Sequence, residues 1–285
     1  MEFRDLYFDS TDGLKLYARD YLGPSSSAPT VMCWHGLSRN SADFGLLAPI
    51  LAQHFRVIVP DQRGRGRSDY DPQSNRYTIP TYLGDMSTLL SVAGIDSFGI
   101  VGSSMGGIMA LGMHALAPER VQRIVLNDIG PELGAAGVAR IQSYVGKTPH
   151  FENWEAAAEF IASINAAAFP GLDQSQWIGA AKNMFTERGG LIIPDYDPLI
   201  GVAMAELAAP DTSAQLWQLF EPTARIPVML VRGANSDLLE PELVKTMQAR
   251  RPGLQVLEVS NVGHTPSLTE PGVAEQVLAF LIETS

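Results

Sequence analysis

The sequence predicts an α/β fold with a mostly parallel sheet and helices on both faces. The first observation is a series of compact apolar runs, the pattern of strands that are buried on both faces: Val31–Trp34, Val57–Pro60, Phe98–Val101, Ile124–Leu126, Val228–Val231 and Leu254–Val259. The second is that helical patterns lie between most of these runs: Phe44–His54, Ile79–Ala93, Met105–Ala117, Pro241–Arg251 and Val273–Glu283. Such alternation is typical of parallel strands joined by crossover helices.

The first residues of the chain predict an antiparallel addition to this sheet. The runs Phe3–Phe8 and Leu14–Leu22 alternate in polarity, and they flank the tight-turn sequence Thr11-Asp12-Gly13. Alternating runs on either side of a short Asp-Gly turn form hairpins. We therefore expect a hairpin before the first buried strand.

The composition is that of a folded protein with a large core. Hydrophobic residues make up 46% of the 285 residues and charged residues 18%, and the net charge is −11. A protein of this negative charge is not expected to bind nucleic acid, and it would be repelled by anionic membrane surfaces. The N-terminus carries charges where a signal peptide has its apolar stretch, and no run reaches the roughly 18 apolar residues of a membrane span. We expect a soluble, cytoplasmic monomer or homodimer that acts on a small molecule.

The interval from Pro131 to about Arg225 interrupts the alternation, because it contains no strand-like run and is rich in Ala, Trp, Phe and Met. Short helices are expected to begin near Asn153 and Asp173, with these side chains as N-caps. An insertion of this length far exceeds an ordinary loop and indicates a helical cap over the carboxyl edge of the sheet, where ligands bind. The sequence thus predicts a core of residues 1–130 and 226–285 and a cap of residues 131–225.

The candidate nucleophile is Ser104. It is the central residue of Gly102-Ser103-Ser104-Met105-Gly106, which follows a predicted strand and opens a predicted helix. In a G-x-S-x-G turn the serine has strained backbone angles, so the flanking positions must lack bulk for the turn to close. The turn exposes Oγ at the positive end of the helix. The alternative is a glycine-rich turn that only packs the helix against the sheet.

The candidate general base is His264, in the sequence Val262-Gly263-His264-Thr265 between the last strand and the last helix. A neutral imidazole can take the serine proton and return it to the leaving group. A surface loop histidine is the alternative. Three further histidines are interpreted as structural or solvated: His54, His114 and His150.

Two aspartates compete for the role of the acid that orients His264. Asp237 follows the run Val228–Val231 and gives the chain order Ser, Asp, His in which G-x-S-x-G enzymes place their triads. Asp128 follows the run Ile124–Leu126 and could reach the same side of the sheet. We prefer Asp237 and keep Asp128 as the alternative.

The oxyanion hole is expected where the strand ending at Trp34 continues into His35-Gly36-Leu37. The backbone N–H of Leu37 can pair with that of Met105 to bind a tetrahedral oxyanion. The side chain of Leu37 is apolar, so only its N–H is proposed to act. His35 and Gly36 are placed at the substrate, with the imidazole supporting the loop.

In combination these pieces resemble the α/β-hydrolase superfamily over nearly the whole chain. The matching pieces, in order, are His35-Gly36, Asp61–Asp69, Gly102–Gly107, Asp237 and Gly263-His264. The resemblance implies a mostly parallel eight-stranded sheet with an inserted helical cap. It also implies that the block at Asp61, similar to D-x-R-G-x-G-x-S, is a structural turn; phosphate binding by its arginines is the alternative.

Differences between this sequence and the motifs of particular enzyme classes in the superfamily limit the reactions it is expected to catalyse. Ser104 argues against haloalkane dehalogenases and epoxide hydrolases, which use Asp at this position. Carbon–carbon hydrolases share the Ser-Met-Gly-Gly elbow but carry H-G-x-G-P-G, whereas this chain has His35-Gly36-Leu37-Ser38-Arg39-Asn40. That loop is similar to hydrolases of small amide- or ester-bearing acids, and esterases and lactonases also fit. Arg39 could bind a substrate carboxylate; a solvated arginine is the alternative.

Specificity is expected to reside in the cap, where Trp154, Trp177 and Tyr196 are the candidate substrate-binding residues. Other cap residues contribute apolar bulk: Tyr144, Phe151, Phe169, Phe185 and Met204. Our leading hypothesis is hydrolysis of a small to medium carboxylic ester through an acyl-enzyme, without metal or organic cofactor. The alternatives are C–C or amide cleavage of a carboxylate-bearing intermediate, and a receptor that binds a ligand without catalysis.

Overall fold

The computed structural model describes residues 2–202 and 212–283 of the chain. The strands are β1 (Arg4–Asp9), β2 (Lys15–Tyr21), β3 (Thr30–Trp34), β4 (Arg56–Asp61), β5 (Phe98–Ser103), β6 (Val121–Asn127), β7 (Phe185–Arg188), β8 (Leu191–Pro194), β9 (Val228–Gly233) and β10 (Gln255–Val259). Eight of them form one sheet in the order β1-β2-β4-β3-β5-β6-β9-β10. Along this order, every neighbouring pair from β4 onward is parallel. β1 pairs antiparallel with β2, and β2 pairs antiparallel with β4. The predicted fold class and hairpin are confirmed.

Helices cover both faces of this sheet. They are α1 (Leu47–Leu51), α2 (Ile79–Val92), α3 (Met105–Leu116), α4 (Ala135–Tyr144), α5 (Trp154–Asn165), α6 (Gln174–Met184), α7 (Thr212–Phe220), α8 (Pro241–Arg250) and α9 (Val273–Ile282). Within the described ranges, none is long and apolar enough to span a bilayer. The predicted helix Phe44–His54 is wrong in length: a short 3₁₀ turn, Ser41–Phe44, precedes a helix of only five residues.

The two faces have separate hydrophobic clusters because side chains alternate along each strand. In β5, Ile100 packs into the cluster under α2 and α3, while Val101 packs into the cluster under α1 and α9. Cys33 lies in the second cluster and is fully buried. Burial raises the pKa of its thiol far above the ordinary value, as expected for a structural cysteine.

The segment between β6 and β9 contains α4 to α7, and its N-caps are as predicted. Asn153 Oδ1 accepts from the Ala156 N–H at 2.8 Å. Asp173 and Gln176 form a reciprocal capping box, with both bonds at 2.9 Å. Among the cap residues named from the sequence, Met204 lies outside the described residues.

The expectation that this segment contains no strand is wrong, because β7 and β8 form an antiparallel hairpin there. Its two-residue turn is Gly189-Gly190, with φ angles of +60° and +80°. Two successive positive φ angles are what a type I′ hairpin turn requires, and Gly-Gly supplies them without steric cost. The strands were missed because each has only four residues.

The Asp61 loop is a buried scaffold. The Arg63 side chain is 1% exposed and forms ion pairs with Asp12, Asp71 and Asp85 at 2.6 to 2.9 Å. The fully buried Arg65 donates from Nε to the Leu37 carbonyl oxygen at 2.9 Å. These contacts engage Arg63 and Arg65 within the protein and tie the loop to the expected oxyanion loop. They favour the structural interpretation over phosphate binding.

The end of β8 joins the segment between β6 and β9 to this scaffold. Gly66 N–H donates to the Asp195 carbonyl at 3.2 Å and Asp197 N–H donates to the Gly64 carbonyl at 2.7 Å. Asn40 Nδ2 donates to the Asp195 carboxylate at 2.8 Å. Burial first, and the nearby Asp61 carboxylate second, raise the pKa of Asp195 from 3.8 to about 6.

This raised pKa gives a pH-dependent stability prediction. Because the folded state holds the Asp195 proton more tightly than the unfolded state, the free energy of unfolding falls as pH rises from about 4 to about 6. Asp195→Asn removes the ionisation and keeps the oxygen that accepts from Asn40. We expect the variant to be more stable than the wild type by about 1–2 kcal/mol at pH 8 and nearly equal at pH 4. Urea unfolding at both pH values measures this; an equal difference at both would contradict it.

Candidate active site

Ser104 lies at the sharp turn between β5 and α3. Its backbone angles are φ 51° and ψ −118°, a region that non-glycine residues rarely occupy. The flanking glycines permit the turn: a Cβ on Gly102 would lie 2.4 Å from the Gly106 carbonyl oxygen, and one on Gly106 would lie 2.1 Å from that of Trp34. Both approaches are closer than any side chain allows. The motif therefore forms the strained elbow that its glycines predict.

His264 reaches Ser104 from the loop after β10. Its Nε2 lies 3.0 Å from Ser104 Oγ, and its Nδ1 lies 2.8 Å from Asp128 Oδ2. An ionised carboxylate only accepts hydrogen bonds, so Nδ1 carries the proton in the neutral ring. Nε2 is then the acceptor that faces the Ser104 hydroxyl, which is the tautomer that a general base needs.

Asp128 is the carboxylate that contacts His264, which corrects the sequence-based preference for Asp237. Asp128 is 0% exposed. Besides His264, it accepts from the Gly233 N–H at 2.8 Å and from the Ser236 hydroxyl at 2.5 Å. Three converging donors fix the orientation of its carboxylate.

The Asp237 carboxylate turns instead toward the cap segment. It accepts from Arg140 Nε at 2.7 Å and from Arg140 Nη2 at 2.8 Å. Burial raises the pKa of Asp237, but the hydrogen bonds from Arg140 outweigh it and hold the pKa below its ordinary value. The sequence does not distinguish the two aspartates, because β6 and β9 are adjacent parallel strands and both aspartates follow strand ends at the same edge of the sheet.

The residues expected to donate to the oxyanion, Leu37 and Met105, line the same cleft as Ser104. Met105 is the first residue of α3, where N–H groups have no partner within the helix. The Gly36 carbonyl, which shares a peptide group with the Leu37 N–H, accepts from His35 Nδ1 at 2.8 Å and from the Arg39 N–H at 3.2 Å. Both bonds orient this peptide. A Cβ on Gly36 would lie 3.5 Å from Ser104 Cβ, so the loop passes directly beside the nucleophile.

His35 supports this loop from beneath, and its assignment to substrate binding is corrected. The ring is fully buried, and Nε2 accepts from the Gln62 N–H at 3.1 Å. Burial lowers the pKa of His35 to about 3, so the ring is neutral and donates from Nδ1. With both nitrogens bonded to the backbone, the side chain has no capacity left for a substrate.

Arg39 is paired with a carboxylate, and its side chain is 25% exposed. Its Nε donates to Asp43 Oδ2 at 2.8 Å, and its Nη2 donates to the other carboxylate oxygen. Burial by itself would lower the pKa of Arg39, but the Asp43 carboxylate reverses this and raises it. Arg39 is therefore a partly buried cation beside the oxyanion loop.

A small apolar cleft opens above Ser104 (the Ser104 cleft). Its lining residues are Leu37, Ser104, Met105, Ile108, Ile129, Leu133, Val138, Ile141 and Leu238. The predicted cap residues Trp154, Trp177 and Tyr196 are not among them, so the structure does not bring these side chains to Ser104. Trp154 and Trp177 pack on the hydrophobic cluster of α5 and α6. Tyr196 lines a separate cavity between α5 and β7.

Sequence reasoning missed three residues around the site: Asn127, Arg140 and Ser236. Asn127 Nδ2 donates to the Pro266 carbonyl at 2.8 Å and so holds the loop that carries His264. A polar pair at a strand end, such as Asn127-Asp128 or Ser236-Asp237, was the available signal. Over residues 2–202 and 212–283, no group of three His, Cys, Asp or Glu side chains is arranged to hold a metal ion.

Comparison with known proteins identifies relatives over nearly the full length. The chain is 34% identical over 270 residues to a 3-hydroxybutyrate-oligomer hydrolase of Cupriavidus necator, covering 92% of this chain and 91% of the relative. It is 25% identical over 259 residues to a 2-(acetamidomethylene)succinate hydrolase of Mesorhizobium japonicum, covering 90% and 89%.

Solved structures and family models agree with these relatives. An α/β hydrolase of Novosphingobium aromaticivorans superposes with a TM-score of 0.92 and 37% identity, covering 98% of each chain. The model of the alpha/beta hydrolase fold matches residues 29–271, a range that includes the elbow, both aspartates and His264. The chain belongs to the alpha/beta hydrolase fold family.

Proposed function

We propose that this hydrolase cleaves small to medium carboxylic esters through an acyl-enzyme intermediate. The observation that carries the proposal is the pair of contacts at His264, 3.0 Å to Ser104 Oγ and 2.8 Å to Asp128. A serine hydroxyl becomes a nucleophile when a base accepts its proton and an acid orients that base. In this assignment Ser104 is the nucleophile, His264 the base and Asp128 the acid.

The first half of the reaction transfers the acyl group to Ser104. Oγ bonds to the ester carbonyl carbon while its proton passes to His264 Nε2. The carbonyl oxygen becomes an oxyanion, which the N–H groups of Leu37 and Met105 stabilise. The bond to the alcohol oxygen then breaks, and the alcohol leaves with the proton from Nε2.

The second half releases the acid. Water attacks the acyl carbon and gives one proton to His264 Nε2, and the bond to Ser104 Oγ breaks as Oγ regains that proton. The products are one carboxylic acid and one alcohol. Asp128 stabilises the imidazolium that exists between these transfers.

Two further observations support an ester as the substrate. The Ser104 cleft is lined by apolar side chains apart from Ser104 itself, which suits an acyl chain better than a sugar. The relative from Cupriavidus necator is named for an oligomer of 3-hydroxybutyrate, whose units are joined by ester bonds.

Amide hydrolysis is the second candidate, because the relative from Mesorhizobium japonicum is named for an acetamido substrate. The same triad can cleave either bond, and the difference lies in the leaving group. A receptor without turnover is the third.

A substrate panel distinguishes these candidates. The protein is assayed with p-nitrophenyl acetate, butyrate, hexanoate and octanoate, and with the matching p-nitroanilides. We expect turnover of the esters with a preference for short chains and slower turnover of the anilides. Intact-protein mass spectrometry after rapid quenching should detect an acyl adduct on Ser104. Faster turnover of the anilides favours the amidase, and a panel without turnover contradicts the proposal.

A further inference from the structure

We infer that Arg140 forms a carboxylate subsite on the leaving-group side of the Ser104 cleft. Preferred substrates are then esters of hydroxy acids, in which the alcohol part bears a free carboxylate. The inference rests on the proposed ester hydrolysis and specifies its substrate class. The position of Arg140, its partners and its remaining hydrogen-bonding capacity support it.

Arg140 belongs to the helix that walls the cleft. Val138 and Ile141 of α4 line the Ser104 cleft, and Arg140 lies between them in the chain. The start of α4 is held on the loop after β9, because the Gly137 N–H donates to the Asp237 carbonyl at 3.0 Å. Arg140 itself donates twice to the Asp237 carboxylate. The guanidinium is therefore held beside Asp237, whose chain neighbour Leu238 lines the cleft.

The contacts of Asn165 place the Arg140 side chain on the side of the protein where His264 lies. Arg140 Nη1 donates to Asn165 Oδ1 at 2.9 Å, and the chain continues from Asn165 to Ala168. A Cβ on Gly263 would lie 2.4 Å from Ala168 Cβ, so the backbone just before His264 packs directly under this turn. Because His264 Nε2 protonates the departing oxygen, the alcohol part of an ester lies on the same side as Arg140.

The guanidinium retains donors for a ligand. Arginine has five N–H hydrogens, and among the described residues the bonds to Asp237 and Asn165 use three of them. The other two, one on each terminal nitrogen, remain for a carboxylate. Tyr144 and Arg39 also lie near: both arginines act electrostatically on the Tyr144 hydroxyl. Two arginines thus act on one buried hydroxyl, and each is paired with a carboxylate: Arg39 with Asp43 and Arg140 with Asp237.

The competing interpretation is that the Arg140–Asp237 pair only attaches α4 to the core. The two interpretations predict opposite effects on substrate binding when the Asp237 charge is removed. An attachment is weakened by loss of either partner, so both variants should behave alike. A carboxylate subsite needs Arg140, whereas the Asp237 charge competes with the ligand, so loss of that charge should strengthen binding.

The experiment compares 3-(butanoyloxy)butanoate with its primary amide, a neutral analogue of nearly the same shape. Both release butyrate on hydrolysis, and kcat/KM is measured from butyrate in each case. We expect the wild type to prefer the acid by about tenfold or more. Arg140→Gln should lower the ratio of acid to amide by about 10- to 100-fold, chiefly through KM. Asp237→Asn should raise that ratio by a few fold.

Arg250→Gln is the matched control, since it removes an exposed arginine that pairs with Glu221; its ratio should equal that of the wild type. Circular dichroism checks folding, and Asp237→Asn keeps the inference testable if Arg140→Gln does not fold. Equal losses on both substrates in Arg140→Gln and Asp237→Asn, or a wild type without preference for the acid, overturn the subsite alone. Absence of butyrate release from both substrates and from p-nitrophenyl butyrate overturns ester hydrolysis itself, and the subsite with it.

Discussion

Ser104→Ala is expected to lower kcat for p-nitrophenyl butyrate by about 10⁴- to 10⁶-fold. Alanine removes the only atom that forms the acyl bond and leaves His264 Nε2 without the hydroxyl that lies 3.0 Å away. The cleft walls and the Leu37 and Met105 amides remain, so KM should change little. Residual turnover would come from oxyanion stabilisation and binding. Initial rates and active-site titration measure the loss.

Ser103→Ala provides the control for this substitution. Ser103 is the adjacent residue, is buried, and its hydroxyl accepts from Asn127 Nδ2 at 3.1 Å. It contacts neither His264 nor Asp128 in the hydrogen bonds described, so most of the activity should remain. If Ser104→Ala keeps more than about 1% of wild-type kcat, another residue is the nucleophile and the proposed mechanism is wrong.

The second large effect is expected at Asp128. Asp128→Asn should lower kcat by about 10³- to 10⁴-fold, because the carboxylate accepts from three donors at once. An amide presents N–H where one of these donors points. If the amide group faces His264, the ring must accept at Nδ1 and carry its proton on Nε2. Nε2 then cannot take the proton of Ser104.

Asp237→Asn is the matched comparison, with the same chemical change at the rival aspartate. Because the Asp237 carboxylate contacts Arg140 and not His264, we expect it to lower kcat on a neutral ester by no more than about tenfold, the effect of losing one charged contact. Steady-state kinetics on p-nitrophenyl butyrate decides between them. A larger loss in Asp237→Asn than in Asp128→Asn would contradict the assignment made from the contacts.

Most of the fold could be predicted because its signals are local. The buried strands β3 to β6 and β9 appear as apolar runs in the sequence. The glycine-rich motif around Ser104 marks the point where β5 ends and α3 begins. The β7–β8 hairpin was missed, since four-residue strands leave too short a pattern to detect. Its Gly189-Gly190 turn was the remaining signal.

The site was predicted less completely than the fold. Ser104 and His264 could be proposed from the sequence because each sits in a glycine-containing sequence at the junction of a strand and a helix. The wall of the cleft was assigned to aromatic residues of the cap, whereas the structure lines it with Val138, Ile141 and Leu238. Composition identifies which residues are apolar, but it does not identify which helix packs over the sheet edge.

The sequence by itself determined the class of fold, the elbow at Ser104, the candidate base and the expected reaction type, because each depends on residues close together in the chain. Only the tertiary structure decided between the two aspartates. Asp128 and Asp237 follow adjacent parallel strands, and nothing in either local sequence states which faces the base. The decision comes from contacts across more than a hundred residues of chain: Ser236 donates to Asp128, and Asp128 accepts from His264. Asp237 is drawn to Arg140 of the inserted segment, a partner that no local pattern indicates.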